Sequence, residues 1–272
     1  MDTGTPTTGQ SRPLAVVTGA SSGIGYALAE ELGNRGFDLL VAAEHERIEP
    51  AASRLAVTGA AVEPVRVDLA TFDGVEQLWE RIRATGRPVE AVAINAGVGT
   101  HGEFARDTDL RDELNVIQLN VTSAVHLAKR VLPAMVEQRR GRLLFTSSVA
   151  ATAPAPYQAS YAASKAFIRS FAEALRAELK DTGVTVTALL PGPTETDFFE
   201  RSGLAHSKLG RIGKDDPAEV ARDGVAAMLA GDDQVVAGGA RNKLQAAAAR
   251  LVSEPAKARL MGKLSKPDPE PG

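Results

Sequence analysis

The chain has 272 residues, with 31 Lys plus Arg against 34 Asp plus Glu, a formal charge of −3 and no cysteine. That balance excludes a global basic field of the kind that gathers nucleic acid and favours a dissolved small-molecule partner. The lack of cysteine excludes disulfides, thiolate nucleophiles and thiolate metal ligands, and it is compatible with a reducing cytoplasm.

Residues 1–12 are rich in Thr and Gly without an apolar core, and they read as a disordered leader, neither signal peptide nor membrane anchor. No uninterrupted apolar run approaches the roughly 20 residues that a membrane-spanning helix needs. From Leu14 onward, short apolar runs alternate with longer stretches of helical spacing, the pattern of a parallel sheet covered by helices on both faces. The predicted strands are Leu14–Thr18, Asp38–Ala43, Val62–Val67, Ala91–Ile94, Arg142–Ser147, Val184–Leu190 and Gln234–Ala237. Most are apolar throughout, as strands buried on both faces are. Predicted helices are Ile24–Arg35, Val75–Arg83, Leu110–Met135 (as one helix or two pieces), Ser160–Lys180 and Ala218–Leu229, with Gly36, Gly86, Pro88 and Gly183 as stops. One domain over residues 13–238 is expected, followed by a helical extension and loose tail over 239–272.

The first strand runs through Thr18-Gly19-Ala20-Ser21-Ser22-Gly23-Ile24-Gly25 directly into a helix. Glycines there let the backbone approach a pyrophosphate, and the helix start offers unpaired N–H groups and a positive dipole end to the anion. A Gly-rich strand-to-helix turn also serves packing alone, so this loop gains weight only in company. Tyr161-Ala162-Ala163-Ser164-Lys165 opens a predicted helix, and its spacing puts Tyr161 and Lys165 on one face. A free phenol has a pKa of about 10, and a neighbouring ammonium favours the phenolate; a lowered pKa is therefore expected for Tyr161.

The spacing TGxxxGxG resembles the classical short-chain dehydrogenase/reductase family, and further segments match that family in order. Asp68, in Val65-Arg66-Val67-Asp68-Leu69, stands where the family's Asp meets the adenine ring, with Leu69 beside it. Asn95-Ala96-Gly97 looks like the motif that borders the cofactor and stabilises the sheet. Ser148 lies thirteen residues before Tyr161, the separation of the family's catalytic serine, which ranks Ser147 as a supporting residue. Asn120 matches the fourth catalytic residue, which by resemblance holds a water linking Lys165 to solvent. Pro191-Gly192-Pro193-Thr194-Glu195-Thr196 is similar to the PGxxxT segment, so Pro191, Gly192, Thr194 and Thr196 are expected at the nicotinamide carboxamide or a phosphate. Thr194 departs from the family's common Val.

The resemblance spans roughly Leu14 to Ala237. It implies a Rossmann-like, doubly wound α/β fold with strand order 3-2-1-4-5-6-7, and an enzyme that moves hydride between a nicotinamide cofactor and a secondary alcohol or ketone. The expected catalytic set is Asn120, Ser148, Tyr161 and Lys165. The expected cofactor set is Gly19, Ser21, Ser22, Gly23, Ile24, Gly25, Glu44, Asp68, Leu69, Asn95, Ala96, Gly97, Tyr161, Lys165, Pro191, Gly192, Thr194 and Thr196. A homodimer or homotetramer through the helices beginning near Leu110 and Ser160 is implied as well.

At the end of the second strand, Glu44 can accept hydrogen bonds from both ribose hydroxyls and would repel a 2′-phosphate carrying about −1.5 to −2 charges. NAD is therefore favoured. NAD-preferring relatives more often carry the acid one residue earlier, at Ala43 here, and His45 or Arg47 could serve a phosphate, so NADP stays as the alternative. A catalytically dead dinucleotide sensor or scaffold is the alternative of another class. Substrate contacts are expected from Val98–Phe104, Val149–Gln158 and Phe198–Arg211, while His101 and His206 read as solvent-exposed. Four histidines, no two at ligand spacing, argue against a metal. Arg241, Lys243, Arg250, Lys257, Arg259 and Lys263 accompany Leu244, Leu251, Leu260 and Leu264. That tail reads as a helix docked on its own domain or a partner subunit, ahead of a basic helix on an acidic membrane.

Overall fold

The computed structural model describes residues 12–204, 207–239 and 253–266. Seven parallel strands form one sheet in the order β3-β2-β1-β4-β5-β6-β7. They are β1 (Leu14–Thr18), β2 (Asp38–Ala43), β3 (Val62–Arg66), β4 (Val89–Ile94), β5 (Gly141–Thr146), β6 (Val184–Pro191) and β7 (Gln234–Ala237). The chain steps outward from β1 to β3, returns to β4 beside β1, and then steps outward the other way. The crevice between the ends of β1 and β4 is where such a sheet takes a ligand.

Alternation along each strand feeds two cores. Val16, Leu40, Val92 and Phe145 face one side, where α3 (Phe72–Ala84), α5 (Ser123–Glu137) and α6 (Ala159–Glu178) pack. Val17, Leu39, Val41 and Leu144 face the other, against α1 (Gly23–Asn34), α2 (Ile48–Leu55) and α8 (Pro217–Ala230). Pro64 lacks an N–H, and it sits in β3, which has a neighbour on one side only, the position a sheet tolerates.

β1, β2 and β7 have the expected bounds, and the other four predicted strands have ends moved by one or two residues; β3 stops at Arg66, one short of Val67. α1 ends at Asn34, two residues before Gly36, whose φ of +91° a Cβ would resist. The expected stretch Leu110–Met135 is divided into α4 (Leu110–Ile117), a π-helical turn (Gln118–Thr122) and α5. α2 was not among the predicted helices, although His45, Glu46 and Arg47 read as a solvated helix start, and Pro50 lies inside it. Its third position leaves the proline in the first turn, where no intrahelical N–H is needed. Two further helices are α7 (Phe198–Arg201) and α9 (Glu254–Ser265). Arg12 is not loose: its guanidinium donates to the Gly33 and Gly59 carbonyls, each at 2.6 Å. The rest of the expected leader, and Arg241, Lys243, Leu244, Arg250 and Leu251 of the expected tail, lie outside the described residues.

Candidate active site

A cleft of about 780 Å³ opens at the carboxyl ends of the strands. At the end of β1 the chain turns through Gly19 (φ +70°), whose N–H donates to the Ala42 carbonyl at 2.8 Å. α3, α4 and α8 close their first turns with the side chains of Thr71, Asp109 and Asp216, but Ser22 at the start of α1 makes no such bond. The first N–H groups of α1 have no intrahelical acceptor and open onto the cleft. A Cβ on Gly25 would stand 2.2 Å from the Gly19 oxygen, so only glycine lets the helix approach the turn this closely. Ser21, Ser22, Gly23 and Ile24 line the cleft with them.

Asn95 ties three strands together. Its side-chain amide donates to the Thr18 carbonyl at 3.1 Å and its oxygen accepts from Thr146 Oγ1 at 3.0 Å. The buried Thr18 hydroxyl accepts in turn from the Asn95 and Ala96 N–H groups at 2.9 and 3.0 Å. These bonds fix the strand ends from which the remaining site residues project.

The two serines after β5 have separate surroundings. Ser147 is buried, and its hydroxyl donates to the Lys165 carbonyl at 2.8 Å, holding α6 against the sheet. Ser148 lines the cleft, accepts from the Ala150 N–H at 3.1 Å and hydrogen-bonds Tyr161. Lys165 is buried; its ammonium donates to the Thr146 carbonyl at 3.0 Å and lies 5.8 Å from the centre of the Tyr161 ring. Phe198 packs on the same ring, with centroids 5.1 Å apart.

Lys165 by itself does not lower the Tyr161 pKa. Burial pushes the phenol up to about 12, against a smaller downward pull from the Ser148 hydrogen bond. The same burial pushes Lys165 down to about 8. Spacing of four residues brings the two side chains together, but the ammonium is aimed at a backbone carbonyl and stands over the ring face. In a site drained of water the cost of the charged form outweighs that distant cation.

Asn120 sits in the π turn, 2% exposed. Its amide donates to the Val98 carbonyl and to Ser164 Oγ, and its oxygen accepts from the Val98 N–H, each at 2.9 Å. A Cβ on Gly97 would lie 3.0 Å from Asn120 Oδ1 and 3.2 Å from Lys165 Nζ, so both side chains reach the same point beneath the Asn95-Ala96-Gly97 turn.

A model of the family described as short chain dehydrogenase matches residues 13–206. The chain belongs to that family. Among its curated relatives, a short chain dehydrogenase of Pseudocercospora fijiensis is 35% identical over 186 residues, 68% of this chain and 60% of the relative's own length. The 3-oxoacyl-[acyl-carrier-protein] reductase FabG of Escherichia coli is 35% identical over 208 residues, 74% of this chain and 84% of the reductase. Solved structures share the fold. A short-chain dehydrogenase from Sphingobium yanoikuyae in complex with NADPH has TM-score 0.76 at 30% identity, covering 82% of this chain and 87% of that one. A short chain dehydrogenase/reductase from Burkholderia phymatum in complex with NAD has TM-score 0.79 at 26% identity, covering 89% and 92%.

The other residues expected from the short-chain dehydrogenase pattern are distributed around the cleft. Glu44, Asp68 and Leu69 line its far end, Glu44 and Asp68 exposed and Leu69 buried. Asp68 also accepts from the Ala70 N–H at 2.9 Å. Pro191 and Gly192 border the opposite wall with Thr194 and Thr196. The Thr194 hydroxyl is turned onto the Gly192 carbonyl at 2.9 Å, whereas the Thr196 methyl lies 2.9 Å from where a Gly23 Cβ would stand, facing the glycine loop. Of Val98–Phe104 only Val98 lines the cleft, and Phe104 is exposed. His101, expected in solvent, is half-buried, with Nε2 2.5 Å from the Ser265 carbonyl oxygen of α9. His206 lies outside the described residues.

Several site residues escaped sequence reasoning. Thr18 and Thr146 act through hydrogen bonds that no local pattern announces. Arg47, weighed from sequence for a phosphate, lines the cleft, and its pairing with Asp197 at 3.1 Å joins residues 150 apart in sequence. Lys257, Leu260, Met261 and Leu264 of α9 also line the cleft. Their only signal was the apolar spacing of the tail. No group of three or more potential metal-ligating side chains gathers among the described residues. No helix among them is long and apolar enough to cross a membrane.

Proposed function

We propose that the protein is an NAD-dependent dehydrogenase that interconverts a secondary alcohol and its ketone, with Tyr161 as acid/base. The observation that carries this reading is the meeting of Ser148, Tyr161 and Lys165 in the cleft that the glycine loop opens. The residues suit a dinucleotide. The open first turn of α1 would take the pyrophosphate, Glu44 the adenosine ribose, and the wall of Asn95, Pro191 and Thr196 the nicotinamide. A bound nicotinamide supplies the acceptor or donor of hydride. Tyr161 takes the hydroxyl proton of the alcohol, or returns it to the ketone oxygen, and Ser148 donates a hydrogen bond to that same oxygen. Lys165 favours the phenolate from below the ring, and Asn120, hydrogen-bonded to Val98 and Ser164, is placed to connect it with solvent.

The cofactor choice rests on Glu44, an exposed carboxylate at the ribose end. One observation favours NADP instead. The Arg66 guanidinium donates to the Glu44 carbonyl at 3.1 Å, and Arg47 also lines this end, so cations stand nearby. Arg47 is already engaged by Asp197, which keeps NAD ahead. A dead sensor on the same fold would bind nucleotide without turnover.

We further propose a homo-oligomer. Leu110, Leu114 and Ile117 of α4 and Phe167 of α6 are exposed at 70, 50, 42 and 43%, an apolar surface on the two helices that resemblance assigns to subunit contacts. Sedimentation at equilibrium checks this; a monomer at micromolar concentration overturns it. A chain without cysteine needs no oxidising compartment, and we place it in the cytoplasm.

A screen of secondary alcohols with NAD and with NADP, and of ketones with their reduced forms, followed by nicotinamide absorbance, tests the reading. Turnover of some pair supports it. Nucleotide binding with no turnover across the screen replaces it with the sensor.

A further inference from the structure

We infer that α9 is the roof of the substrate cleft and that Leu260, Met261 and Leu264 select carbonyl compounds whose larger substituent is apolar. This rests on the dehydrogenase reading for the chemistry, but the binding surface is argued from its own contacts. α9 lies beyond residues 13–206, the part that the family model matches, so the common family pattern does not dictate it.

The roof is docked at both of its ends. At its last residue, Ser265 is fully buried: its carbonyl accepts from His101 Nε2 at 2.5 Å and its hydroxyl from Gln158 Nε2 at 3.1 Å. In its first turn, Lys257 donates to the Thr152 carbonyl at 3.3 Å. Between these anchors the helix passes close to the loop before α6, where a Cβ on Gly262 would stand 3.3 Å from the Pro156 ring. The anchors reach the two segments flanking the reacting residues: the loop after Asn95-Ala96-Gly97 and the turn from Ser148 to Tyr161.

Beneath the anchored helix an apolar patch lines the cleft. Leu260, Met261 and Leu264 line it from α9, with Val149, Phe199 and Ile212 among the other walls. Leu260 is 60% exposed although it belongs to this lining, and Met261 and Leu264 are half-buried. Side chains so placed have apolar area left to be covered by an occupant. A substituent reaching from the carbonyl at Tyr161 toward α9 would meet these apolar side chains, with Lys257, bonded to the Thr152 carbonyl, and Arg201 as cations of the same lining. Each methylene fully removed from water there strengthens binding by about fourfold.

The test compares the full chain with a variant carrying Leu260→Ser, Met261→Ser and Leu264→Ser. Turnover of butan-2-one, decan-2-one and 9-oxodecanoate is measured with reduced cofactor, and decan-2-one binding to cofactor-loaded protein is measured by calorimetry. The expected result is a preference for decan-2-one over butan-2-one of at least about tenfold in kcat/KM. The variant should lose most of that preference, keep butan-2-one within about twofold, and keep its melting temperature. Equal losses on both ketones, no loss on either, or a preference for the keto acid overturns the inference. If the triple variant does not fold, Leu264→Ser alone should show the same selective loss. If neither ketone turns over, the dehydrogenase reading fails on these substrates and calorimetry judges the roof by itself. Decan-2-one bound by the full chain and weakened at least about fivefold in the variant supports it, and no binding by the full chain overturns it.

Discussion

The Lys165 ammonium lies 5.8 Å from the centre of the Tyr161 ring and is held there by the Thr146 carbonyl at 3.0 Å. Both groups are desolvated, and burial moves them in opposite directions, Tyr161 up to about 12 and Lys165 down to about 8. The resting pair is therefore a neutral phenol beside a lysine that loses its proton near the upper end of the physiological range. Any added positive charge at the cleft floor favours the phenolate and lowers the Tyr161 pKa.

This pair has a signature in stability. Between pH 8 and 10.5 the unfolded chain holds a proton on Lys165 that the folded chain has lost, so unfolding free energy rises with pH across that window. Below pH 8 the buried ammonium costs the full amount, on the order of 3 kcal/mol. Tyr161 acts oppositely from pH 10 to 12, where the folded chain keeps a proton that the unfolded chain releases, and stability falls. Lys165→Met should therefore be more stable than the parent at pH 7, with the gap closing by pH 10. Urea denaturation at the two pH values measures it; a gap independent of pH contradicts the burial argument.

Ser147 and Ser148 should part company when each is changed to alanine. Loss of the Ser147 hydroxyl removes its bond to the Lys165 carbonyl, costing about 0.5 to 1.5 kcal/mol of stability. Turnover should then change by only a few-fold. Ser148→Ala should leave the melting temperature alone and lower kcat by about 10² to 10³. The reverse assignment of the two losses would show that the serines had been exchanged.

Gly25→Ala places a methyl 2.2 Å from the Gly19 oxygen and 2.5 Å from Asn95 Nδ2. The helix must retreat from the turn, at about 1 to 3 kcal/mol of stability. Nucleotide affinity should weaken by at least about tenfold, because the N–H groups of α1 move with it. Calorimetric titration with NAD measures the second effect; unchanged affinity removes the α1 start from the binding site.

Glu44→Arg tests the cofactor reading. Removing the carboxylate and adding a guanidinium should lower kcat/KM for NAD by at least about tenfold and raise it for NADP. A parent enzyme that already prefers NADP overturns the assignment to Glu44.

Much of this architecture is written locally. The core strands are short apolar runs, Leu14–Thr18 being buried throughout, and a run buried on both faces leaves little ambiguity about its ends. α2 was hidden by Pro50, which reads as a break although it stands in a first turn. The π turn at Asn120 was hidden because helical spacing continues on either side of it and only the phase shifts across the turn. The cleft residues were legible as motifs, but their electrostatics were not. Spacing reports that Tyr161 and Lys165 share a face, and it carries no record of how much water the fold removes. α9 and the Arg47–Asp197 pair depend on contacts between segments far apart in sequence, so no local pattern could place them.

The central claim is that the Tyr161 hydroxyl exchanges the substrate proton. Tyr161→Phe removes one oxygen and leaves the ring against Phe198. Steady-state turnover and NAD affinity, measured on the same preparation, decide the matter. kcat should fall by about 10² to 10⁴, with the NAD dissociation constant within about threefold of the parent. Turnover within a few-fold of the parent would contradict it.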